Sequence, residues 1–276
     1  YELAQSMATY FNRTAPGIKK IAVAVDGRLH SNQIKSELCR GFLDSGFDVV
    51  YIGVCPTPVL YFSQHDLDVD AGVMITASHN GKEYNGFKIC MLKNTVWGSE
   101  ILKIRDIFKS GNFEKINNQD SNITGNYSEI DGVEIYINWL AENFKNLCGK
   151  KISVLIDCAN GATGAVLPRL IKKMNLKSVG LLYEEVDGNY PNHEADPVIV
   201  ENMTDLKDML SVSSYKFGIG FDGDGDRMAA MTKSGYLIPG DKLLAIFAQS
   251  ILRKNGKSNI VFDIKCSQVV ARLMRS

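Results

Sequence analysis

Lys19-Lys-Ile-Ala-Val-Ala-Val-Asp26 returns 131 residues later as Lys150-Lys-Ile-Ser-Val-Leu-Ile-Asp157. Each is a short apolar run closed by an aspartate, which reads as a strand buried on both faces. After the first copy, Asp26-Gly27 marks a turn, and Ile34, Leu38 and Phe42 recur at helical spacing as far as Gly46. Phe47–Ile52 and Ala71–Thr76 read as two further buried strands, with a short helix between Thr57 and Gln64 whose first turn suits Pro58. Strands alternating with helices give a mostly parallel sheet covered on both faces. A weaker third copy, Asn259-Ile-Val-Phe-Asp263, extends the pattern. The expectation is an α/β protein of tandem domains, each with a mixed, mostly parallel sheet flanked by helices, the third domain truncated. Chance recurrence of a common pattern is the alternative.

The Ser/Asn/Gly-rich stretch Ser110–Tyr127 interrupts this alternation, and Ile130, Val133, Ile137, Leu140, Phe144 and Leu147 then mark the apolar face of a long helix. A boundary is therefore placed near 130, with domain I at 1–130, domain II at 131–236 and the start of domain III at 237–276. The length of 276 residues suits that division. Hydrophobic residues make up 45%, and 31 Lys+Arg balance 31 Asp+Glu, so the chain can bury a core and carries no charge bias toward nucleic acid or a membrane surface. The longest uncharged stretch, about Val49 to Gln64, contains Pro56 and Pro58 and does not suit a bilayer span. Cys39, Cys55, Cys90, Cys148, Cys158 and Cys266 show no paired spacing, which favours reduced thiols in a cytoplasmic protein. Tyr1 is not a start methionine and no secretory or transit pattern follows it, so both ends are treated as open.

Phe221-Asp222-Gly-Asp224-Gly-Asp226-Arg227 carries the most chemistry. Side chains two apart point the same way on extended backbone, and glycine lets the loop curl, so Asp222, Asp224 and Asp226 can converge on one hard cation. A calcium loop of the EF-hand kind would need Gly and Glu where Arg227 and Lys233 stand. Magnesium fits better, because it takes few protein ligands and completes its shell with phosphate oxygen or water. The plainer alternative is an acidic, solvated turn between strands Phe217–Phe221 and Met228–Met231.

Thr76-Ala-Ser78-His79-Asn80-Gly-Lys-Glu-Tyr84-Asn85-Gly86-Phe-Lys88 follows a buried strand directly and so lies at the carboxyl edge of a sheet, where α/β proteins bind ligands. Ser78 could serve as a nucleophile, His79 or Lys88 as proton carriers, and Asn80 with Asn85 as loop braces. A serine hydrolase fits poorly, since no Gly-x-Ser-x-Gly elbow is present. A polar turn with a capping serine is the other option. His30, His65 and His193 read as packing or surface groups, although the loop of His193 could touch a ligand.

Taken together, Thr76–Asn80 with Tyr84-Asn85-Gly86 and Lys88, and Asp222-Gly-Asp-Gly-Asp-Arg227, resemble the α-D-phosphohexomutase family in its phosphomannomutase/phosphoglucomutase branch. The resemblance continues in Asp26-Gly-Arg28, Asp157-Cys-Ala-Asn160-Gly161, Val186-Asp-Gly-Asn-Tyr-Pro191-Asn-His-Glu-Ala-Asp-Pro197, Ile238-Pro-Gly-Asp241 and Phe262-Asp-Ile-Lys265-Cys-Ser267, and so covers essentially the whole chain. It implies that Ser78 carries a phosphoryl group and that Asp222, Asp224 and Asp226, with an oxygen at Ser78, hold Mg²⁺. It makes Lys88 and His79 the general acid and base at the sugar hydroxyl. A phosphoserine dianion beside three carboxylates needs such a cation, and a clamp such as Arg227. Arg28 either braces the Ser78 loop or is a surface cation.

The implied reaction exchanges the 1-phosphate and 6-phosphate of a hexose, mannose or glucose, through a 1,6-bisphosphate that also serves as activator; the implied partner is a small phosphosugar. Gly81 stands where the family usually has proline, and the family's sugar-recognition loop and phosphate-binding fourth domain would lie beyond Ser276. The expectation is therefore an incomplete part of the enzyme. The rival readings are a Mg²⁺-dependent phosphatase and a truncated, phosphorylatable metal-binding protein.

Overall fold

A computed structural model describes residues 1–115 and 124–273. The Ser110–Tyr127 interruption therefore lies partly outside the described residues. α1 (Glu2–Thr14) buries Ala4, Met7, Ala8 and Phe11, the spacing of one helical face. β1 (Lys20–Val25), α2 (Ser31–Asp44), β2 (Asp48–Val54), α3 (Thr57–Asp66), β3 (Ala71–Ile75), β4 (Phe87–Met91), β5 (Asn94–Thr95) and α4 (Ser99–Ser110) follow. Successive residues of β1 face opposite ways. Ile21, Val23 and Val25 enter a core shared with α1, α2 and α4, while Ala22 and Ala24 enter a second core with Val59 and Leu60 of α3. The small alanines let that helix lie close on the sheet. β6 (Tyr127–Glu129) completes the order β5-β4-β3-β1-β2-β6.

α5 (Gly132–Asn143) starts at Asp131, whose side chain accepts the Glu134 N–H and so satisfies a free donor of the first turn. Its Val133 and Ile137 pack into the α3 side of the first sheet, beside Val166 and Leu170. The second sheet is built from β7 (Lys151–Asp157), β8 (Lys177–Leu182), β9 (Phe217–Phe221), β10 (Met228–Thr232) and β11 (Leu237–Ile238), in the order β11-β10-β9-β7-β8. α6 (Leu167–Lys173), which carries Leu170, lies between β7 and β8 in the chain, and α7 (Thr204–Val212) covers the second sheet with Leu206 and Leu210. α8 (Gly240–Asn255) and α9 (Gln268–Leu273) end the described chain. Among the described residues no helix is long and apolar enough to cross a membrane.

The two sheets share one plan. β1 runs parallel to both β2 and β3, as β7 does to β8 and β9. β3 is followed by antiparallel β4, and β9 by antiparallel β10. The loops joining these hairpins, 76–86 and 222–227, occupy equivalent positions. Two sequence expectations need correction. The helix expected through Leu147 stops at Asn143 and gives way to a 3₁₀ turn at Lys145–Leu147, leaving Phe144 and Leu147 exposed. Its apolar face is buried only where the first sheet and α3 lie beneath it. The third strand expected at Asn259–Asp263 does not form: the segment is mostly exposed and pairs with no strand among the described residues. A strand exists only through its partner's hydrogen bonds.

Candidate active site

Ser78 lies just past the end of β3 with φ +56°, a left-handed conformation that costs a non-glycine residue energy unless its surroundings hold it. Thr76 Oγ1 accepts the Ser78 N–H at 2.8 Å, and Thr76 N–H donates to Gly86 O at 2.9 Å, closing the neck of the loop. Asn85 donates to Ser31 Oγ and accepts the Gly86 N–H, while the Asn80 N–H donates to Ala77 O.

Arg28 holds the loop from inside. Its side chain is fully buried and ion-paired with Asp26 at 3.0 Å. Its remaining donors reach Gly81 O, Tyr84 O, Ser78 O and Asn80 O at 2.7, 3.1, 2.8 and 2.7 Å. All five guanidinium N–H groups are thereby used, and four peptide carbonyls of one loop are fixed on one rigid plane. The surface-cation reading of Arg28 does not describe this geometry.

The second loop meets the first. Ser78 Oγ donates to Asp222 Oδ2 at 3.0 Å and accepts from Arg227 Nη2 at 2.7 Å. Arg227 also donates through its backbone N–H and its Nε to Asp222, both at 3.0 Å, and its guanidinium touches His79 Nδ1. An arginine has donors only, so Nδ1 of His79 is the acceptor in this contact. Lys88, on β4, places Nζ 2.5 Å from Asp224 Oδ2 and 2.5 Å from Asp226 Oδ2.

The carboxylates are not equivalent. Asp222 and Asp224 are completely buried, whereas Asp226 is partly exposed. Burial, reinforced by the charge of Asp224, pushes Asp222 up to about 6. Burial acts on Asp224 in the same sense, but hydrogen bonds from Lys88 and Thr57 outweigh it and hold that carboxyl below its usual range. At Lys88 burial favours the neutral amine, but Asp224 and Asp226 overcome it and keep the ammonium charged. Thr57, fully buried at the start of α3, donates its hydroxyl to Asp224 Oδ2 and its N–H to Asp224 O.

The donor set suits a small divalent cation. Asp222, Asp224 and Asp226 each offer an oxygen, all within 4.8 Å of one another. Asp224 Oδ1 is buried without a hydrogen-bond partner, a costly state for a carboxylate that a cation would relieve. Thr57 escaped the sequence reading, although Cys55-Pro56-Thr57-Pro58 at the carboxyl end of β2 lies on the same sheet edge as Ser78.

Two family descriptions match the chain: "Phosphoglucomutase/phosphomannomutase, alpha/beta/alpha domain I" over residues 1–115 and "alpha/beta/alpha domain II" of the same family over 134–235. The chain belongs to the phosphoglucomutase/phosphomannomutase family. Among curated relatives of this family, a phosphomannomutase/phosphoglucomutase of Pseudomonas syringae is 35% identical over 254 residues, 92% of this chain and 52% of that protein. A phosphoglucomutase of Neisseria gonorrhoeae is 36% identical over 255 residues, 92% of this chain and 54% of that protein. The crystal structure of a phosphoglucomutase/phosphomannomutase family protein from Burkholderia thailandensis superposes with a TM-score of 0.88 at 31% identity, covering 99% of this chain and 59% of that one. The chain thus spans about half the length of the curated relatives it matches.

Proposed function

We propose that this chain forms the phosphoryl-carrying part of a phosphohexomutase, which interconverts hexose 1-phosphate and hexose 6-phosphate through a phosphoserine at Ser78 and a hexose 1,6-bisphosphate. The observation that carries this reading is the meeting of two domains at one hydroxyl: Ser78 Oγ, from the first sheet, contacts Asp222 and Arg227, from the second. Relatives named phosphomannomutase/phosphoglucomutase support mannose or glucose phosphate as substrate.

Asp222, Asp224 and Asp226, with an oxygen at Ser78, would hold Mg²⁺, which when bound supplies positive charge against the phosphoryl oxygens. In the transfer step a sugar hydroxyl oxygen attacks the phosphorus on Ser78, the P–Oγ bond breaks, and the hydroxyl proton leaves to a base. Arg227 already donates to Ser78 Oγ and is placed to stabilise the charge that develops there. Lys88, held as an ammonium by Asp224 and Asp226, suits the acid role, and His79 beside the serine suits the base. Arg28, through the carbonyls of Ser78 and Asn80, and Asn85, through Ser31, hold the loop that carries the serine. The bisphosphate then reorients and returns its other phosphoryl group to Ser78 Oγ.

Phosphorus NMR of the full-length protein with glucose 1-phosphate, catalytic glucose 1,6-bisphosphate and Mg²⁺ tests this reading. Conversion to the 6-phosphate without accumulation of inorganic phosphate is expected, and Ser78→Ala should abolish it. Steady phosphate release would replace the mutase by a phosphatase.

A further inference from the structure

Val186-Asp-Gly-Asn-Tyr190 belongs to the second domain yet lies against the first. A Cβ on Gly188 would sit 2.6 Å from Leu29 N and 2.8 Å from both Arg28 Cα and Gly27 O, and one on Gly27 would sit 2.4 Å from Val186 Cγ1. At Gly188 backbone meets backbone, and only glycine fits. The Tyr190 ring lies over the Arg28 guanidinium, 5.4 Å from Cζ to the ring centroid. Arg28 has spent every in-plane donor and sees no solvent, so its face is the surface left through which a neighbour can hold it.

The chain around it, from Glu185 to Ala195, is tied to the loop after β7 and to the acidic loop. Asp187 N–H donates to Asn160 O at 3.0 Å, Asn160 Nδ2 donates to Glu185 O at 2.8 Å, and Gly223 N–H donates to Ala195 O at 3.2 Å. A Cβ on Gly223 would lie 2.6 Å from Ser78 O and 2.9 Å from the Tyr190 hydroxyl, so the two loops and the tyrosine converge on one glycine. We infer that Val186–Tyr190 is the clasp that sets the Ser78 loop against the Asp222 loop, with Tyr190 a positioning residue that acts through Arg28. Its consequence for catalysis rests on the function proposed above; its structural consequence does not.

Hydrogen exchange of the full-length protein, read by mass spectrometry, tests the clasp. Tyr190→Ala is expected to speed amide exchange across residues 77–86 by roughly tenfold or more while β7 and β9 stay protected. Tyr190→Phe, which keeps the ring, should match the parent. Unchanged exchange at 77–86 in Tyr190→Ala, or equal effects of Ala and Phe, would overturn the inference. Should Tyr190→Ala not fold, Tyr190→Leu keeps apolar volume without the aromatic face and should give the same loop-specific rise; parent-like exchange in it counts against the clasp.

Arg28→Lys tests the route, since the Tyr190→Ala change should add nothing on top of it, and additive effects would break the link. In turnover, Tyr190→Ala should lower kcat by roughly tenfold with KM for hexose phosphate unchanged. A rise in KM alone would contradict a positioning role. If loop exchange responds but Ser78 never takes up phosphate, the proposed function fails and the clasp stands; if Ser78 is phosphorylated but loop exchange ignores Tyr190, the clasp fails.

Discussion

The loop after β3 and the loop after β9 occupy the same place in two sheets of like topology, yet they are stabilised in opposite ways. The first, residues 76–86, is held through its backbone: Arg28 lies inside it, fully buried, and binds four of its carbonyls. The second, residues 222–227, is short and organised by its side chains, two of them buried carboxylates facing Lys88, Thr57 and Arg227. One loop presents a hydroxyl on a rigid frame, and the other presents concentrated negative charge. A repeated frame therefore supplies two facing edges, and what each carries depends on a few residues rather than on the strands beneath.

The sharpest way to break this contrast is to remove each arginine. Arg28→Ala leaves the buried Asp26 carboxylate without its cation and four loop carbonyls without their donors, and should cost about 3–5 kcal/mol in denaturant unfolding. Arg227→Ala should cost only about 1 kcal/mol, because Asp222 retains the backbone N–H of residue 227 and other donors nearby. Equal losses would mean that both loops are framed alike. Next in size, Asp224→Asn should weaken Mg²⁺ binding, measured calorimetrically, by about 100-fold; parent-like affinity would remove the acidic loop from any cation site. Thr57→Val keeps the volume but loses the hydroxyl that orients Asp224, and about a tenfold loss in the same titration is expected, with Thr57→Ser restoring it.

The smallest effect concerns His193, which joins the 187–197 segment to the second sheet through Asp157 Oδ2 at 3.1 Å and contacts the neighbouring Glu194 O within its own segment at 2.9 Å. Both partners accept, so the doubly protonated ring satisfies both. Burial works against that charge, but the Asp157 carboxylate and the Glu194 carbonyl prevail and raise the histidine above its ordinary value of 6.5. A folded-state value raised above the unfolded one contributes stability that is full below about 6.5 and is lost as pH rises through the folded value. The stability gap between parent and His193→Gln, followed by urea unfolding, should therefore be widest in mild acid and narrow above neutrality. A gap that widens with pH would reverse the assignment.

Much of this was legible in the sequence because it is local. Asp222, Asp224 and Asp226 converge through their alternate spacing, and the recurrence of Lys19–Asp26 at Lys150–Asp157 marks the strand of each sheet that runs parallel to both its neighbours. Contacts between distant segments were not legible. Thr57 meets Asp224 across 167 residues, and nothing near either one signals the other. Arg28 could not be told from a surface cation, since its burial depends on the Ser78 loop folding over it. The failed strand at Asn259–Asp263 makes the same point from the other side: an apolar run closed by aspartate becomes a strand only where another strand pairs with it.

The central claim is that Ser78 accepts a phosphoryl group opposite the acidic loop. Intact mass of the full-length protein, before and after incubation with glucose 1,6-bisphosphate and Mg²⁺, tests it most directly. A gain of about 80 Da that disappears in Ser78→Ala is the expected result. No gain on a folded, full-length chain, or a gain that persists in Ser78→Ala, would contradict it.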